Sequence, residues 1–70
     1  MKLFIWTDVL ADYSSGMIVA LAPNLETALE LARATDAYSA PGDMGTHEPE
    51  VIELGRVHHE PKLWYVHGGG

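Results

Sequence analysis

The sequence predicts a small α+β domain: an antiparallel sheet in the chain order β-β-α-β-β, one helix on one face, and the second face buried by oligomerisation. Three observations predict it. Gly16, Met17, Ile18, Val19, Ala20, Leu21 and Ala22 form an unbroken apolar run, whereas a strand with one wet face alternates apolar and polar residues, so both faces of this strand are expected to be covered. Only one segment, beginning at Leu25, carries a helical period, and one helix covers one face. Finally, 70 residues without a cysteine make one domain, residues 1–70, whose core is barely large enough and cannot be stapled by disulfides. A second copy of the chain is therefore the expected cover for the second face.

The first strand is placed at residues 2–10, which are rich in β-formers. One parity carries Leu3, Ile5, Thr7 and Val9; the other carries Phe4, Trp6 and Leu10 with Lys2 and Asp8, so both faces are substantially apolar. Residues 11–16 supply turn formers, among them Asp12, Ser14 and Gly16, and so short a link predicts an antiparallel hairpin to the second strand at 16–22. Pro23 and Asn24 end that strand and start the helix, because the Asn24 side chain can cap free backbone N–H groups. Leu25, Ala28, Leu29 and Ala32 fall on one face, with Glu26, Thr27, Glu30 and Arg33 opposite, and the helix is expected to end near Asp36. Ser39, Pro41, Gly42, Asp43 and Gly45 then predict a loop through Glu48. A third strand is expected at 50–57, a turn at 58–61, and a short fourth strand at 63–67.

Composition narrows the function classes. Ten acidic residues against Lys2, Arg33, Arg56 and Lys62 give a net charge of −6, which disfavours duplex nucleic acid, since phosphates are bound chiefly by Lys and Arg. No run approaches the ~18 apolar residues of a membrane span, and Asp8 arrives too early for a signal-peptide apolar region, so a soluble, cytoplasmic chain is expected. His58, His59, Glu60 and His67 are zinc-ligand types, but neighbours on a strand point to opposite faces and no helical His-x-x-x-His pair exists; no metal site and no cofactor are expected. Ser14 or Ser15 with a histidine and Asp12 contains the residue types of a triad without a nucleophile elbow, so no enzyme activity is expected. The aromatic residues Trp6, Tyr13, Trp64 and Tyr65 lie in or beside strands. They serve either the core and the subunit interface, where Trp and Tyr are enriched, or a cleft in which they stack a flat ligand while Arg33, Arg56 or Lys62 meets its phosphates.

The stretch from Trp6 to Met17, followed by an apolar strand, Pro23-Asn24 and a Leu/Ala/Glu helix, resembles the short uncharacterised proteins of bacteriophage and prophage genomes, as does the ending from Trp64 to Gly70. The resemblance implies a counter-defence factor acting in the host cytoplasm. Its expected function is to sequester a small phosphorylated ligand, a cyclic nucleotide or an ADP-ribose-derived signal, at an interface of a homo-oligomer, using Trp6, Tyr13, Arg33, Arg56, Trp64 and Tyr65. The alternative is an inhibitor that docks directly on a host defence protein.

Overall fold

The computed structural model describes residues 1–10, 16–35, 40–56 and 58–68. It contains a four-stranded antiparallel sheet and two helices: β1 (Lys2–Val9), β2 (Gly16–Ala22), α1 (Leu25–Arg33), α2 (Ala40–Thr46), β3 (Glu50–Glu53) and β4 (Lys62–Val66). The expected α+β class and antiparallel sheet are present, but the order is β-β-α-α-β-β, because the stretch expected as a loop contains α2. Gly42, Gly45 and Pro41 make this segment a poor helix on propensity alone. It is held by contacts made elsewhere in the chain: Ala40 and Met44, four residues apart and therefore on one face, are both buried in the core. Pro41 costs little because it lies in the first turn, where backbone N–H groups have no partner inside the helix.

The strand order is β3-β1-β2-β4, so the β1–β2 hairpin is central and the later strands form the two edges. Of the hairpin turn expected at 11–16, residues 11–15 lie outside the described residues and Gly16 opens β2. Thr7 and Val9 pair with Met17 and Gly16, leaving Asp8 as a bulge at φ 58°. That extra residue flips the parity, so that Val9 and Leu10 both reach the core. Leu10 also takes a left-handed conformation, φ 50°, an unfavourable one for a branched apolar residue. Two hydrogen bonds fix it: its N–H donates to Asp43 Oδ2 at 2.8 Å, and its carbonyl accepts from the Gly68 N–H at 3.0 Å.

α1 begins where expected. Asn24 is extended and its Oδ1 accepts from the Thr27 N–H at 2.9 Å, with Glu26 in the first turn. Ala28 and Ala32 are buried, Leu29 packs against the core from a half-buried position, and Leu25 at the helix start is exposed rather than buried. The helix stops at Arg33, and the Ala34 and Thr35 N–H groups turn back to the carbonyls of Leu31 and Ala32. α1 packs on β2 and β4, and α2 on β1, making a two-layer molecule. Phe4, Trp6, Ile18, Ala20 and Ala22 cluster with the buried residues of both helices, and Leu63 and Tyr65 join from β4. Trp6 is fully buried, stacks on Phe4, and its indole N–H donates to the His47 carbonyl just past α2.

β3 ends at Glu53 instead of extending toward residue 57, since Gly55 takes φ +70° and breaks the strand; Val57 lies outside the described residues. β3 ends and β4 begins at the same end of the sheet on opposite edges, three strand spacings or about 14 Å apart. β4 occupies 62–66, a one-residue shift from the expected 63–67.

Candidate functional site

The pleat fixes which side chains share a face. Since Phe4, Trp6, Ile18, Ala20, Leu63 and Tyr65 lie toward the helices, their chain neighbours lie on the other side. The strand registers arrange these neighbours in rows. One row runs Glu50, Ile5, Val19, Trp64 across β3, β1, β2 and β4; the next runs Ile52, Leu3, Leu21, Lys62; the third holds Thr7, Met17 and Val66. Eight of these are apolar and contiguous, and among the described residues no helix packs on this side. The centre is shielded by its neighbours: Leu21 is buried, and Leu3, Ile5 and Val19 are half-buried. The margins are open, with Ile52 39%, Met17 41%, Trp64 44% and Val66 66% exposed. Monomeric soluble proteins rarely leave so continuous an apolar surface wet unless it meets something.

The charges on this face stand apart. Glu50 belongs to edge strand β3 and Lys62 to the opposite edge strand β4. The Lys62 ammonium leans along its strand, 5.3 Å from the centroid of the Trp64 ring, a cation–π contact that draws the positive charge toward the Glu50–Trp64 row.

The residues expected to bind a ligand are not brought together. Trp6 has no exposed ring face, because it is fully buried beneath α2. Tyr65 points to the helix side and sits edge-on to His67, whereas Trp64, its neighbour, points to the open face. Arg33 belongs to the outer side of α1, across the sheet from Trp64, and Arg56 follows β3 at the far edge. Tyr13 lies outside the described residues, as do Ser14 and Ser15. An open groove of about 250 Å³ beside Arg33 is lined by Glu26, Leu29 and Glu30 as well, so its two carboxylates outnumber its one guanidinium, a poor balance for holding a phosphate. Among the described residues no three His, Asp or Glu side chains converge as metal ligands would, and the His59 ring is turned to the Glu60 carbonyl.

Met17, Ile52 and Val66 were absent from the expected site although the signal for them existed. The first strand is apolar on both parities, and the apolar run of the second strand gives each face its share. What could not be read was which edge strand carries each row across the sheet. No described helix is long and apolar enough to cross a membrane. No protein-family model matches the chain, and no similar curated protein or solved structure was found.

Proposed function

We propose that the chain is a non-enzymatic binding module that works by protein–protein contact through the open face of its sheet, and that its first partner is a second copy of itself. The observation that carries this reading is the row pattern: eight adjoining apolar side chains from all four strands, opposite the helix-covered face. Four strands side by side, each about 4.8 Å wide, by about six residues give a face of roughly 20 × 20 Å. Two such faces cover roughly 800 Å² together, at the small end of protein–protein interfaces, so weak, concentration-dependent association is expected.

Direct protein contact is favoured over sequestration of a phosphorylated ligand, because Arg33 and Trp64 lie on opposite sides of the sheet and Arg56 follows the strand at the other edge. In the setting implied by the phage resemblance, the same face offered to a host protein makes an inhibitor, with Glu50 at one edge and Lys62 at the other orienting the partner. Sedimentation across a micromolar concentration series tests the reading. The wild type should shift from monomer toward dimer, and Met17→Glu or Val66→Glu, both at exposed positions, should stay monomeric with an unchanged far-UV circular dichroism spectrum. A wild type that remains monomeric throughout would remove self-association. A thermal shift produced by cyclic nucleotides would return the ligand reading to first place.

A further inference from the structure

We infer that the two copies are related by a two-fold axis parallel to the strands, so that β3 of each copy lies over β4 of the other and Glu50 faces the second copy's Lys62 at both ends of the interface. This rests on the self-association just proposed and specifies its geometry.

Two stacked sheets with nearly aligned strands can be related by a two-fold axis in two principal ways. An axis perpendicular to the strands places β3 over β3 and β4 over β4. With that axis level with the Ile5 row, Glu50 comes over Glu50, and the two Lys62 ammoniums, each drawn toward the Trp64 row, approach one another, two like-charge contacts inside an otherwise apolar interface. An axis parallel to the strands, passing between β1 and β2, exchanges the edges instead. A rotation about that axis leaves height along the strands unchanged, so every row meets its own row in reverse: Ile5 comes over Val19, Leu3 over Leu21, and Glu50 over Trp64.

The cation on Trp64 completes the match. Lys62 begins one row away, but its ammonium already lies over the Trp64 ring, 5.3 Å from the centroid, and hence near the level of the opposing Glu50. The ~30° angle typical of aligned sheets displaces the edge strands by only a few Å, within the reach of a lysine side chain. The apolar centre is thus flanked by two symmetry-related ion pairs, a polar rim around an apolar core. Both residues are exposed in the single chain, so these pairs set orientation without entering the fold.

Charge reversal tests this directly. Glu50→Lys alone sets two lysines against each other at each end, and Lys62→Glu alone sets two glutamates; each should weaken self-association about tenfold at low salt, since two attractive contacts become repulsive. The double variant Glu50→Lys/Lys62→Glu exchanges the signs and should restore the wild-type dissociation constant. A wild-type dimer unaffected by either single reversal would overturn the parallel axis while leaving self-association standing, as the like-on-like arrangement keeps two like charges together after either change. Single reversals that weaken without restoration in the double variant would overturn the pairing. A wild type that stays monomeric would remove this geometry together with the reading on which it depends. Because the chain lacks cysteine, a second arm is clean: Ile52→Cys mixed with Lys62→Cys should be joined by a short bismaleimide, whereas Ile52→Cys alone should not.

Discussion

Glycine 16 tolerates no side chain. A Cβ built there would overlap the Val66 carbonyl oxygen and lie 2.8 Å from the Gly68 nitrogen and 2.9 Å from the Val9 carbonyl oxygen, all backbone atoms with nowhere to move. Gly16→Ala should therefore cost about 3 kcal/mol or more in urea denaturation, because either β4 or the end of β1 must shift. Asp43→Ala removes the acceptor for the Leu10 N–H and releases a left-handed leucine; a loss of about 1–3 kcal/mol is expected. Asn24→Ala should cost about 1 kcal/mol through the missing cap. The cap was legible in the sequence because donor and acceptor lie three residues apart, whereas the Asp43–Leu10 bond joins residues 33 apart and has no local signature. The same division separates the two tryptophans. Their residue type predicted a role for both, but only the tertiary fold decides that Trp6 fills the core and Trp64 faces outward.

Among the elements, α1 and the β1–β2 hairpin follow from local pattern, while α2 defeats it. Two glycines and a proline in seven residues read as a loop, and only the docking of Ala40 and Met44, with the bonds at Asp43 and His47, makes a helix of them. The glycines themselves offer a check. A Cβ at Gly42 or Gly45 meets nothing within 4 Å, and neither residue has a positive φ. Gly42→Ala with Gly45→Ala should accordingly raise stability by about 1–2 kcal/mol, since alanine favours the helix at each site. A loop at 40–46 would show no such gain, so the denaturation midpoint of this double variant reports directly on α2.

For the whole molecule, burial of the second face and a small core are one problem. A 70-residue chain stabilised by self-association should have a melting temperature that rises with protein concentration, and Met17→Glu should abolish that dependence. That both sides of the sheet carry apolar residues was legible because an unbroken apolar strand is a local fact. The strand order was not, because β3 and β4, consecutive in the chain, take opposite edges of the central hairpin, and pairing partners so far apart leave no periodicity.

That order also sets how the molecule opens. β1 and β2 are each hydrogen-bonded on both sides, while β3 is a four-residue edge strand exposed at every position that pairs, among the described strands, with β1 alone. Its amides should exchange with solvent deuterium first, in openings that leave the hairpin and α1 intact, and those of Phe4, Ile18 and Ala20 should exchange last. If β3 supplies the acidic half of each ion pair, a dimer that forms must also close this strand against exchange, so its amides become a timer for association as concentration rises.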